Sequence, residues 1–255
     1  MRHFLIGIFI LLGVGLTHPL SAQRYGQDTI IDIASIQFTY NGMIPFQDMG
    51  ERFGYTSAVG VDVSYKFSKK NLYATVAAYG IFGGIVKEDS VIDALKTTTG
   101  FLIADDGTLV EGRLQESGLM IPISFGKIFS LRPEQNANSG LYIEVGGQYI
   151  QHKIRIDAIG AQVAALSKEN KKGYDRLTSG IGIREGIGYR YYSRNSLVNF
   201  SLGLNFSQNF TKSRRSIFVD TGQTEFSTRK DFLVGFNFGW MILLYRGETK
   251  RFYYR

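Results

Sequence analysis

Beyond residue 22 the 255-residue chain holds one histidine, His152. Beside an acid and a hydroxyl it would serve as a general base for ester hydrolysis. The residues that follow it are Lys153 and Ile154, and no serine stands at a motif spacing from it. A second set of ionisable residues is defined by its setting. Asp62, Lys66, Glu144, Arg184, Arg190 and Asp231 fall on the small or polar parity of segments that alternate with apolar residues. Glu185 is the odd one, falling on the other parity among Ile181, Ile183, Ile187 and Tyr189. Basic residues gather in two further places, Lys168, Lys171 and Lys172, then Lys212, Arg214 and Arg215. There is no phosphate-cradling glycine loop and no metal-ligand spacing, so neither a cofactor nor a metal is expected.

The elements that must position these residues are strands, because the hydrophobic period is two. Val59, Val61, Val63, Tyr65 and Phe67 alternate with Ala58, Gly60, Asp62, Ser64 and Lys66. Val198, Phe200, Leu202, Leu204, Phe206 and Phe210 share one parity, against Asn199, Ser201, Gly203, Asn205, Ser207 and Asn209. Phe232, Val234, Phe236, Phe238, Trp240, Ile242 and Leu244 repeat the pattern against Asp231, Gly235, Asn237 and Gly239. Less regular segments at Ala34–Tyr40, Leu72–Phe82, Leu119–Phe129, Leu141–Ile154 and Leu177–Tyr192 bring the expected total to eight. Short connections (68–71, 130–139, 193–196) alternate with long ones (41–56, 83–118, 155–176, 211–228). Strict alternation of this kind describes an up-and-down transmembrane barrel with both mature ends on the periplasmic side. Each strand is expected to span about 9 to 11 residues.

A soluble barrel would show the same alternation, and the composition of the second face separates the two. A water-facing strand carries Lys, Glu and Arg, whereas Gly180, Gly182, Gly186, Gly188, Ser201, Gly203 and Asn205 suit a narrow, crowded lumen. Aromatic residues at strand ends, Tyr189, Tyr191, Tyr192, Phe210, Trp240 and Tyr245, are expected to form an interfacial girdle. The long second loop is expected to hold a short helix over Ser90–Thr98, capped by Ser90, and a hairpin flanking Asp105–Thr108. Helical spacing recurs at Ala158–Glu169. Arg2 and His3, the apolar run Phe4–Leu16 and the small residues ending at Ala22 have the order of a secretory signal, residues 1–22, leaving 23–255 as one barrel domain. The chain has no cysteine, which excludes disulfide staples and a lipoprotein anchor. Net charge is +7, of which only Arg2 lies in residues 1–22, leaving +6 for the rest; that charge suits anionic lipid and is too diffuse for nucleic acid.

Within such a barrel the six ionisable residues of the polar parity point into the lumen, where mixed signs predict ion pairs. Glu185 on the lipid parity predicts a β-bulge that shifts the register or, failing that, a surface packed on another protein. The two basic stretches would lie above the outer leaflet, in reach of lipopolysaccharide phosphates or a partner. The whole mature chain resembles the eight-stranded outer-membrane barrels of the OmpA and OmpX type. Segments 151–154, 172–177, 210–215 and 239–245 look like a family of small Bacteroidota outer-membrane barrels. The resemblance allows, without assigning it, a role as an accessory barrel of an envelope machine, in secretion or barrel assembly; the first expectation is a non-enzymatic barrel acting as a structural or interaction subunit. Two alternatives stand beside it: a lipid A or phospholipid modifying enzyme using His152, and a narrow channel. The chain departs from many such barrels in that 246–255 continue past the last aromatic strand.

Overall fold

A computed structural model describes residues 30–167, 169–193, 198–222 and 227–244. The expected signal, Lys168, Tyr245 and the segment 246–255 lie outside the described residues.

The strands are β1 (Ile33–Phe46), β2 (Thr56–Lys66), β3 (Leu72–Gly83), a small hairpin of β4 (Leu102–Ile103) and β5 (Leu109–Val110), β6 (Gly112–Phe129), β7 (Gly140–Ala158), β8 (Thr178–Tyr191), β9 (Phe200–Ser213) and β10 (Arg229–Leu244). All but the hairpin form one closed antiparallel ring in the order β1, β10, β9, β8, β7, β6, β3, β2. The fold is all-β, an eight-stranded up-and-down barrel of the transmembrane type. Closure gives every strand of the ring two neighbours, so no open backbone edge faces lipid. The seam between first and last strands runs without a break from Ala34 opposite Leu244 to Phe46 opposite Phe232.

The strands form because each can place one parity against lipid and the other inside. Outward positions are apolar and exposed, among them Val63, Phe125, Ile143, Ile181, Leu204 and Phe238. On β7 the apolar run ends at Tyr149, and Gln151, Lys153, Arg155 and Asp157 take over the outer face. That belt of nine residues matches the hydrocarbon span of a tilted strand. The strands themselves are longer than 9 to 11 residues: β6 has 18 and β7 has 19, and their paired ends rise past their neighbours into the loop region. Pro122, inward on β6, supplies no N–H, and the β3–β6 pairing lapses between Val76 opposite Ile123 and Tyr79 opposite Met120.

The interior is filled in three layers. At the end with the short turns, Ile33, Tyr73, Ile128, Tyr142, Tyr192 and Met241 make an apolar plug. Tyr192 therefore belongs to the inside and not to the girdle expected for it. Glycine makes room for these rings: a Cβ on Gly203 would lie 2.2 Å from the Tyr142 hydroxyl, and one on Gly126 would lie 2.4 Å from the Tyr73 ring. Beneath the plug the β6–β7 turn folds under as a floor. Asn138 Oδ1 accepts hydrogen bonds from the Ile31 backbone at 3.1 Å and from Lys66 Nζ at 2.8 Å, and Asn71 Nδ2 donates to the Ala137 carbonyl at 2.9 Å. The middle layer is polar. The third, at the long-loop end, is a second apolar core in which Met49, Phe53, Val91, Ile92 and Leu102 are fully buried over Ile150 and Ile154.

Candidate functional site

Glu144 and Arg190 meet in the lumen at 3.6 Å. The Tyr73 hydroxyl donates to Glu144 at 2.8 Å, and the guanidinium lies 3.9 Å from the Tyr73 ring and 5.1 Å from the Tyr142 ring. The other inward charges are satisfied differently. Asp62 accepts from Gln37 Nε2 at 2.9 Å and Thr39 Oγ1 at 2.8 Å. Arg184 donates to Asn41 Oδ1 at 3.3 Å. Lys66 is held by the Ile31 carbonyl at 2.9 Å and by Asn138, and no carboxylate lies within ion-pair distance of it among the described residues. An ion pair is therefore the wrong description for Lys66. It sits at the base of the barrel, where backbone and amide oxygens are the available acceptors. Parity reveals which residues point inward, but not which of them share a height.

Asp231 lies near the loop end, where its Oδ2 is 3.0 Å from His152 Nε2 and accepts from Thr211 Oγ1 at 2.6 Å. Both His152 and Asp231 are fully buried. Phe53 packs edge-on against the imidazole at 5.6 Å, and His152 Nδ1 has no hydrogen-bond partner among the described residues. The pair has the orienting half of a catalytic triad, but no hydroxyl stands on the second ring nitrogen. The loops cover it on the outside.

That cover is built on residues that share no motif or spacing. Arg52, at the end of the short helix Gln47–Arg52, pairs through Nε with Glu88 at 2.7 Å. Arg176 pairs with the other oxygen of Glu88 at 2.9 Å and with Asp220 at 2.6 Å, and lies 3.9 Å over the Phe218 ring. Arg52 also donates to the Arg176 carbonyl at 3.3 Å. One network thus ties all the long loops together, with both guanidiniums buried. The expected helix at Ser90–Thr98 is a 3-10 turn, Asp89–Leu95, with no side-chain cap; it begins one residue after Glu88, whose carboxylate is engaged by the two arginines. Among the described residues of 158–169 the one helical element is a 3-10 turn, Ala164–Leu166. Leu102 and Val110 of the β4–β5 hairpin face the core, while Ile103 and Leu109 face out.

Burial alone would raise the Glu88 carboxyl, but the flanking guanidiniums more than offset it and hold the group below the ordinary glutamate range. A depressed carboxylate stabilises the fold above its unfolded value, about 4.3, and loses that contribution as pH falls through the folded value. The cover should therefore loosen in acid. Amide hydrogen exchange over residues 84–111, corrected for intrinsic rate, should accelerate below about pH 4 while the barrel strands stay protected; unchanged protection at that pH would count against the network.

The basic candidates separate. Arg215 is held by Asp175 at 2.7 and 2.5 Å, Lys171 lies 3.7 Å from Asp157, and Lys172 lies 4.0 Å from Glu169 in an exposed pair. Lys212 is exposed on the outer face of β9, just above Phe210, and Arg214 is exposed beside it with its Nε on Ser179 Oγ at 2.6 Å. Glu185 faces outward, but not through a bulge. Its pairing with Val145 on one side and Phe206 on the other belongs to two unbroken registers, so no residue is inserted.

These features define a class: a closed eight-stranded transmembrane barrel with a filled lumen and a roof of interlocked loops. Solved structures similar to it include Neisserial surface protein A, with 10% identity over 82% of this chain and 96% of that one and a TM-score of 0.40. Ail, the attachment invasion locus protein of Yersinia pestis, shows 12% identity over 82% and 98%, with a TM-score of 0.35. OprG from Pseudomonas aeruginosa shows 10% over 82% and 95%, with a TM-score of 0.31. The likeness concerns the fold alone. No protein-family model matches the chain, and no curated protein matches it in sequence.

Proposed function

We propose that this chain is an integral protein of the bacterial outer membrane, exported by residues 1–22, with its short-turn end and both mature termini in the periplasm and its roof outside. It acts as a non-enzymatic structural or interaction subunit of an envelope machine, in secretion or barrel assembly, a role that the resemblance to small Bacteroidota barrels allows. The observation that carries this reading is the sealing of the barrel at both ends. A plug and floor close one end and a packed roof the other, which argues against a conducting path. His152 is enclosed where no lipid ester reaches it, which argues against a catalytic base. What the barrel does offer is a rigid outer surface. Phe101, Ile103, Leu109 and Ile159 are exposed on it, and Ile103 and Leu109 are cross-strand neighbours. Apolar side chains gathered on an outer loop mark a protein contact. Lys212 and Arg214, directly above the belt, are placed to meet lipopolysaccharide phosphates.

Copurification in mild detergent tests this reading. Wild-type protein should bring down one or more envelope proteins, and replacing Ile103 and Leu109 with Ser should abolish their recovery without affecting folding. H152Q, which keeps a donor toward Asp231, should leave recovery intact. Isolation of the barrel alone, or discrete conductance steps in planar bilayers, would overturn the proposal.

A further inference from the structure

The lipid-facing wall holds two polar side chains that the chain itself does not satisfy. Glu185 lies midway along β8, with Ile181 and Ile183 on one side and Ile187 and Tyr189 on the other. Gln208 lies on β9 between Phe206 and Phe210, and both polar residues are exposed. The register sets Ile183 opposite Gln208 and Glu185 opposite Phe206, so the two polar groups are diagonal neighbours on one face. Neither makes a hydrogen bond or ion pair among the described residues. On the other flank Gly147, opposite Ile183, leaves the wall open, since a Cβ there would touch nothing.

Hydrocarbon supplies no partner for either group, and polar residues in that setting are rare and engaged. A carboxylate only accepts, and a carboxamide supplies N–H donors. The patch therefore holds both halves of a hydrogen bond in a geometry that an identical patch completes after a half turn. In a two-fold interface a contact from residue i to residue j implies the contact from j to i. We propose that the β8–β9 wall is a self-association surface: two copies pair in the membrane plane, Glu185 accepting from the partner's Gln208 and Gln208 donating to the partner's Glu185. Gly147 lets the walls approach closely, as small residues do between membrane segments. A different membrane protein would have to carry its own matched donor and acceptor, whereas a second copy has them by symmetry. The inference rests on the barrel spanning a bilayer.

The chain has no cysteine, so Ile183→Cys places a unique thiol inside the proposed contact. Val63→Cys on β2, across the ring from β8, is the control. Full-length protein is reconstituted in phosphatidylcholine vesicles at low protein-to-lipid ratio, floated, and oxidised. The expected result is a covalent dimer from I183C and none from V63C. Adding E185L or Q208L removes both symmetry-related hydrogen bonds and should weaken association about tenfold, the scale of two intramembrane hydrogen bonds, and the exchanged pair E185Q with Q208E should restore it. Heat-dependent gel mobility checks that each variant is folded. Vesicle-bound I183C that stays monomeric, equal crosslinking of V63C, or indifference to E185L overturns the self-association alone. Failure to float with the vesicles overturns the membrane reading and the self-association with it.

Discussion

Arg176→Ala should open the roof while leaving the barrel closed. Arg176 is the hub of the loop network: its removal strips Glu88 of one partner and Asp220 of its only ion pair among the described residues, and it ends the contact with Phe218. Breaking a buried pair by removing one member typically costs about 3 to 5 kcal/mol, because the remaining charge stays desolvated. The lower end applies here, since Glu88 keeps Arg52 and retains some solvent contact. The loss falls on the loops, whose opening is separable from unfolding of the ring. Limited proteolysis should therefore cut R176A within residues 84–111 or 214–222 under conditions that leave the parent intact, with the heat-modifiable mobility of the barrel unchanged. Equal resistance of the two proteins would show that the apolar core of the roof suffices without its salt bridges.

Arg190→Met should be among the most destabilising single changes in the lumen. It leaves the Glu144 carboxylate buried, with the Tyr73 hydroxyl and no cation in contact, and removes the guanidinium from the face of that ring. The expected loss is about 3 to 5 kcal/mol. Combining it with Glu144→Gln should recover part of that loss, because the stranded charge is gone; coupling within a contacting pair runs to about 0.5 to 3 kcal/mol. Urea titrations of the four proteins in lipid vesicles measure the cycle. Additive losses would mean that Glu144 and Arg190 stabilise the barrel independently, each through its tyrosine.

The ring itself was readable because β2, β9 and β10 obey a strict period of two, and side chains on opposite faces meet opposite solvents. The extension of β6 was not. In Gly112–Gly118 the chain has left the membrane, so Arg113 and Gln115 can stand on the outer face, and the contrast between faces that marks a strand disappears. Glu185 showed as an anomaly, but sequence could not separate an inserted residue from a genuinely exposed acid, since both produce one wrong parity. Parity alone identifies the inward charges, and it cannot separate Lys66, which lies on the floor, from the residues that form ion pairs. The roof network was the least legible. Arg52, Glu88, Arg176 and Asp220 come from separate loops with no common period, and only the closed ring brings those loops together. The helix expected after Ser90 failed for a related reason: Glu88, just ahead of it, is drawn toward two arginines, and the segment is shaped by tertiary contacts more than by its own propensity.

The single amide of Asn138 also bears on the order in which the cylinder can be made. It fastens Ile31, 107 residues upstream, and Lys66, 72 residues upstream, to the same turn. A chain released only as far as β7 already has every group needed to moor its first strand at the base, with one side of that strand left bare. The remaining neighbour of the first strand is the last one, the most distant pairing in sequence and the costliest to bring together by chance. With one flank anchored early, the final event reduces to a lateral zip along a waiting edge.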